Sequence, residues 1–209
     1  MQNRLMPHAA LTRRHLLVLA GSTAALALLL PRIVLAQDSA AAGFVQENGN
    51  KILGLAPLAT DNAGSRQQLL ELVNQVLDVD GVARFALGPY SRQATPDQLQ
   101  KYLQLFHQVI SNGVTARLSA YANATFTLGR SEARGGDTLV HSTITRPGSP
   151  AADVDWLVGP IDGQMKILDV IAEGTSLRLT ERSDYTSYLQ NHGGNVDALL
   201  TAIQAQVSQ

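Results

Sequence analysis

The sequence predicts an α+β fold: an N-terminal helical layer packed on a curved antiparallel sheet of about four strands, with C-terminal helices closing the chain. Three observations carry that expectation. Between Thr138 and Ile171, three runs alternate apolar and polar residues at period two and are rich in β-branched side chains. The breaks between them hold Pro147, Gly148, Pro150, Pro160, Asp162 and Gly163, the residue types that punctuate an antiparallel meander. Upstream, from Ala40 to Tyr121, apolar residues recur at helical spacing instead. A sheet with one apolar face must bury it, so the helices supply the other wall of the core.

Composition narrows the possibilities. A chain of 209 residues has the length of one ordinary domain, enough to bury a core and to leave a cavity in it. Charged residues make up 16% and aromatics 5%, so the apolar share is mainly Ala, Leu, Val and Ile. Such side chains suit flexible aliphatic ligands and ordinary packing alike. There is no cysteine, so no disulfide framework supports the fold. No basic run is interleaved with aromatics, which argues against a nucleic-acid surface.

Residues 1–36 separate from the rest as an export signal. Arg4, Arg13 and Arg14 precede an apolar run from Leu16 to Leu30, and Val34 and Ala36 stand at the minus-three and minus-one positions of a cut before Gln37. The run is about fifteen residues where roughly twenty are needed to span a bilayer, which favours cleavage over a retained anchor. Thr12 to Leu17 also resembles a twin-arginine signal, with Leu16 where Phe is usual. The segment holds four basic residues (Arg4, Arg13, Arg14, Arg32) and no acid, so removing it leaves 16 − 4 = 12 bases against 17 acids, a formal charge of 12 − 17 = −5. A chain of that charge gains no general attraction to anionic lipid surfaces. Residues 37–209 then form one domain.

The elements follow in order. Phe44, Val45, Ile52, Leu55 and Leu58 predict a first helix over Ala40–Leu58 ending near Pro57, weakened by Gly49 and Gly54. Ser65 is placed to cap a second, cleaner stripe running from Leu69 to Leu77. Asp78 to Leu87 predicts a short third helix stopped by Gly88 and Pro89. Thr95, Pro96, Asp97 and Gln98 combine an N-cap, a first-turn proline, an acid against the dipole and a capping-box glutamine. The stripe they open runs through Leu99, Tyr102, Leu103, Phe106, Val109 and Ile110 and past Gly113 to Tyr121. Phe126 and Leu128 begin a first strand, and Gly135 and Gly136 turn it into the meander. Ser176 is placed to cap Leu177 to Leu189, which reads as helix or as strand turning into helix. Asn195 caps a last helix carrying Val196, Leu199, Leu200 and Ile203.

No His-Glu-x-x-His, Gly-x-Ser-x-Gly or phosphate-cradling loop occurs. His107 falls at the edge of an apolar stripe, as a histidine satisfied by neighbours does, and His141, next to Val140, points to the opposite face of its strand. Asp153, Asp155 and Asp169 lie on or beside strands. A pocket aspartate over a curved sheet can act as a general base, because apolar burial raises its pKa. That is the basis of an alternative reading, an isomerase-type enzyme acting on a hydrophobic small molecule.

Two segments carry a family resemblance. Asp80 to Gly88, with Tyr90, Arg92, Gln93, Ala94, Thr95 and Pro96, is similar to the helix and loop of the MlaC family of periplasmic phospholipid carriers, also called toluene-tolerance auxiliary components. Asp162, Gly163, Lys166, Asp169, Val170, Glu173, Gly174, Ser176, Leu177, Arg182 and Ser183 resemble a second segment of the same family. The resemblance covers roughly Phe44 to Val207. Met165, and Thr180 and Glu181 before Arg182, depart from the family pattern in ways similar to its hopanoid-associated branch, HpnM.

The resemblance implies transport without catalysis, cofactor or metal. A periplasmic carrier would shuttle phospholipid, or a hopanoid-type lipid, between membranes and so bear on outer-membrane lipid asymmetry. It implies as partners an inner-membrane ABC transporter complex with its substrate-binding ring protein and an outer-membrane lipoprotein. The candidate lipid-lining residues are Leu103, Phe106, Ile110, Val140, Ile144, Val154, Trp156, Val158 and Ile167, each of which could equally pack a dry core. Arg84, Arg92 and Arg182 lie in the family-like segments. Pairing with Asp80, Glu173 or Asp184 is their expected role, and contact with a headgroup phosphate is the alternative.

Overall fold

The computed structural model describes residues 30–208 apart from Ala122. Of the segment expected to be an export signal, residues 1–29 lie outside the described residues, and the backbone of residues 30–36 forms the start of the first helix. Six helices and five strands follow in the order α1 (Leu30–Asp61), α2 (Ala63–Val76), α3 (Val79–Leu87), α4 (Pro96–Arg117), β1 (Thr125–Arg134), β2 (Asp137–Thr145), β3 (Ala152–Ile161), β4 (Gln164–Ala172), β5 (Thr175–Ser176), α5 (Leu177–Asn191) and α6 (Val196–Val207). Short 3-10 turns follow α3 and α4. No helix among the described residues is long and apolar enough to cross a membrane.

Most boundaries follow the capping chemistry. Asp78 caps α3 by accepting from the Gly81 N–H, and Thr95 and Gln98 exchange the two bonds of a capping box at the start of α4. Ser176 and Asn195 cap α5 and α6. Three boundaries differ from expectation. The first helix, expected from Ala40, begins at Leu30. The helix expected to end near Pro57 continues to Asp61, because Ala56 and Ala59 are buried against α2 and their packing outweighs the bond that Pro57 forfeits. The cap of α2 is Asn62, whose Oδ1 accepts from the Ser65 N–H, so Ser65 donates from inside the first turn.

The sheet is fully antiparallel with strands in sequence order, β1-β2-β3-β4-β5. The fifth strand, beyond the expected four, is a two-residue extension that Glu173 and Gly174 fold back onto β4, both at positive φ. Register shifts between Leu128 and Ser131 and between Leu157 and Val158 bend the strands. The register puts Phe126, Ile144, Val140, Trp156 and Val158 on one face, and His141, Asp155 and Leu157 on the other.

The apolar interior is divided. The first face of the sheet is covered by the α1/α2 hairpin: Val140, Val158 and Ile167 are buried with Ala41, Val45 and Val76, flanked by Phe44, Phe126 and Trp156. At Gly49 a Cβ would come within 3.3 Å of the Phe126 ring, so the glycine lets α1 approach β1 closely. The hairpin has a small core of its own in Ala56, Ala59 and Leu69. The remaining helices, α3 to α6, bury a separate core around Tyr102, Phe106, Leu189 and Leu199. The two parts meet where α2 ends. There the Asp78 N–H donates to the Ile167 carbonyl at 2.9 Å, and the Lys166 ammonium donates to the Gln75 carbonyl.

Candidate functional site

The nine candidate lining residues fall on two surfaces. Val140, Val158 and Ile167 are buried in the layer between sheet and hairpin, with Trp156 at its edge. Ile144, opposite Phe126, and Val154, opposite Ser142, are buried on the same face of the sheet. Leu103, Phe106 and Ile110 belong to the helical core instead. Phe106 is fully buried there, with its ring centroid 5.9 Å from that of Tyr102 and 6.4 Å from that of Tyr185. The reason is topological: α4 turns its apolar stripe toward the other helices of that core, and the α1/α2 hairpin occupies the sheet.

The sheet layer is apolar, and its buried polar groups are satisfied. The Trp156 indole N–H donates to the Ser142 hydroxyl at 2.8 Å, which donates in turn to the Val154 carbonyl at 2.7 Å. The Thr138 hydroxyl donates to Asp38 of α1 at 3.1 Å, tying the hairpin to β2. Such a layer can hold aliphatic groups.

The acidic candidates for a general base are occupied elsewhere. Asp155 meets His141 Nδ1 at 2.7 Å on the face of the sheet turned away from the apolar layer. Asp153 accepts from the Thr143 hydroxyl at 3.3 Å. Asp169 is 4% exposed, accepts from the Ser176 hydroxyl and the Arg178 backbone N–H, and lies 3.4 Å from Arg178 Nε, so it anchors the start of α5. His107 bridges Asn74 at 2.9 Å and Asp80 at 3.0 Å, linking α2, α3 and α4. Among the described residues, no three or more His, Asp or Glu side chains gather as a metal site. In the helical core, burial pushes the Tyr102 and Tyr185 phenols up, and burial likewise raises the Glu181 carboxyl.

Two surface depressions adjoin α3. One, of about 410 Å³, is lined by Asp80, Arg84, Pro96, Leu99, Gln100, Leu103, Gln104 and His107. The other, of about 260 Å³, is lined by Arg84, Phe85, Gly88, Pro89, Ser91, Arg92 and Arg182. The pairing expected of these arginines does not form. Asp80 is taken by His107, Glu173 accepts from the Asp153 N–H at 2.9 Å, and none of Arg84, Arg92 and Arg182 makes an ion pair among the described residues. The guanidiniums of Arg178 and Arg182 instead lie 4.7 Å and 4.8 Å from the Phe85 ring centroid. Their four-residue spacing on α5 is the sequence signal that both reach one neighbour.

Three similarities bear on this architecture. Residues 54–205 match the family described as MlaC protein. The chain is 24% identical over 143 residues to the toluene tolerance protein ttg2D of Pseudomonas putida, a match that spans 68% of this chain and 66% of that protein. It shares its fold with a phospholipid-binding protein from Ralstonia solanacearum solved in complex with a phospholipid, at a TM-score of 0.72 and 22% identity, over 81% of this chain and 99% of the solved one.

Proposed function

The chain belongs to the MlaC family, and from that premise we propose that it is a periplasmic carrier holding a phospholipid by its acyl chains between the sheet and the α1/α2 hairpin. The observation that carries this reading is the continuous apolar layer of Val140, Val158, Ile167, Phe126 and Trp156 under Ala41, Val45 and Val76. The phospholipid bound by the Ralstonia protein of the same fold supports it.

In this reading the chains enter as the hairpin parts from the sheet. The hairpin moves as a unit because Ala56, Ala59 and Leu69 hold its two helices together independently of the sheet. Each methylene removed from water contributes about 0.8 kcal/mol, so two long chains gain on the order of 20 kcal/mol. A bilayer offers the same gain, so the carrier lowers the barrier to crossing water and net direction comes from its partners. Those partners are an ABC transporter complex with its ring protein on one side and an outer-membrane lipoprotein on the other. Residues 1–36 are the export signal and residues 37–209 the working domain. No catalytic step is assigned: the Asp38 carboxylate beside the layer is engaged by the Thr138 hydroxyl.

The test uses Trp156, the one tryptophan of the chain, as a reporter at the edge of the layer. Phospholipid with brominated acyl chains is expected to load onto the purified protein and quench its indole emission. A protein that takes up no phospholipid, or takes it up without quenching Trp156, overturns this assignment.

A further inference from the structure

We propose that the depression between α3 and α5 is a binding site for a phosphate-type oxyanion, held by Arg84, Arg92 and Arg182. It lies on the helical core and stands independently of whether lipid chains occupy the sheet layer.

Charge is the first argument. Three guanidiniums line a space of about 260 Å³ with no carboxylate among its lining residues. None of the three is ion-paired among the described residues, in a chain that carries 17 acids to 16 bases. The C-terminal end of α3 carries a partial negative charge equivalent to roughly half an elementary charge. One guanidinium offsets that, and three exceed it, so the depression keeps a positive potential.

Preorganisation is the second. Arg182 stacks on Phe85, and its guanidinium lies beside Gly88, where an added Cβ would stand 3.6 Å away in ordinary contact. Arg178 contacts the same ring, and its own charge is matched by Asp169. Arg178 therefore props Phe85, while Arg182 is held by the ring, its guanidinium without a hydrogen bond or ion pair among the described residues. A planar guanidinium fixed this way offers parallel donors matched to phosphate oxygens at little further entropic cost. Size is the third argument. The space is smaller than the roughly 300–1,000 Å³ of pockets for drug-sized ligands, and it suits a single oxyanion or a small headgroup.

The phosphate could belong to a lipid headgroup or be free in solution, and two arms separate these. In the first, the isotopically labelled protein is titrated with inorganic phosphate at constant ionic strength, with sodium chloride as control. The readouts are the Gly88 and Ser91 amides and the Arg182 Nε–H resonance. Saturable shifts are expected, weakened about tenfold or more in Arg84→Gln and in Arg92→Gln. Neither side chain has a hydrogen bond or ion pair among the described residues, and unchanged melting temperatures check that both variants stay folded. In the second arm, vesicles of phosphatidylglycerol are sedimented with the protein. Retention that phosphate competes away assigns a headgroup, and phosphate saturation without retention assigns the free ion; either supports the site. Shifts that do not saturate, that chloride reproduces, or that survive both substitutions overturn it. So does saturation by polyglutamate but not by phosphate, which would mark a docking surface for an acidic protein.

Discussion

If acyl chains enter the layer under the hairpin, a hole made there is refilled by lipid, while a hole made in the helical core is not. Ile167→Ala and Leu189→Ala form the comparison. Ile167 is 5% exposed in the sheet layer and Leu189 fully buried among the helices. Each substitution removes three carbons, worth about 2.4 kcal/mol at 0.8 kcal/mol apiece. The residual cavity brings such changes into the range of about 2–5 kcal/mol. Taking about 3 kcal/mol, both variants without lipid should melt about 6–12 °C below the parent, at roughly 2–4 °C per kcal/mol for a chain of this size. Lipid at one hundred times its dissociation constant adds about 2.7 kcal/mol to the parent. In Ile167→Ala the increment should be larger, by a coupling of about 0.5–3 kcal/mol, because methylenes fill the vacated volume. In Leu189→Ala it should equal the parental value. The assay is thermal or urea unfolding with and without phospholipid, and equal lipid increments in all three proteins would refute the placement of the chains.

Two further outcomes follow from the helical core. The Tyr102 hydroxyl, fully buried on α4, donates to the Ala83 carbonyl of α3 at 2.9 Å, so Tyr102→Phe should cost about 1 kcal/mol in urea unfolding and leave lipid binding unchanged. Burial raises the Glu181 carboxyl above its ordinary value of 4.5, so the folded state binds that proton more tightly than the unfolded chain. Its contribution to stability is therefore fully present below pH 4.5 and is lost as pH rises through the folded-state value. Glu181→Gln should stabilise the protein at neutral pH and flatten that segment of the stability profile; a profile of unchanged slope would contradict this.

Local chemistry made much of the fold legible. The capping box at Thr95 and Gln98, the caps at Ser176 and Asn195, and the alternation from Thr138 to Ile171 each depend on neighbours in the chain, and the elements appear where those signals stand. The end of α1 was less legible: Pro57 and two glycines weaken the helix locally, and only burial of Ala56 and Ala59 against α2 carries it on. The partners of the arginines were not legible either, since proximity in sequence family segments says nothing of which carboxylate is already engaged by His107 or by a backbone N–H.

Periodicity and capping by themselves determined the class of fold, the number and order of the helices, and the strand positions that share a face with Val140 and Trp156. Which apolar face meets which was decided in three dimensions. The stripe of α4 and the face of the sheet are both aliphatic and aromatic, and the burial of such surface is non-directional, so nothing in either pattern says that they avoid each other. Loop lengths and the joint at Asp78 and Ile167 place the α1/α2 hairpin on the sheet and leave α4 to α5 and α6. The same assembly brings Arg84, Arg92 and Arg182 around one depression, a meeting of α3, the turn after it and α5.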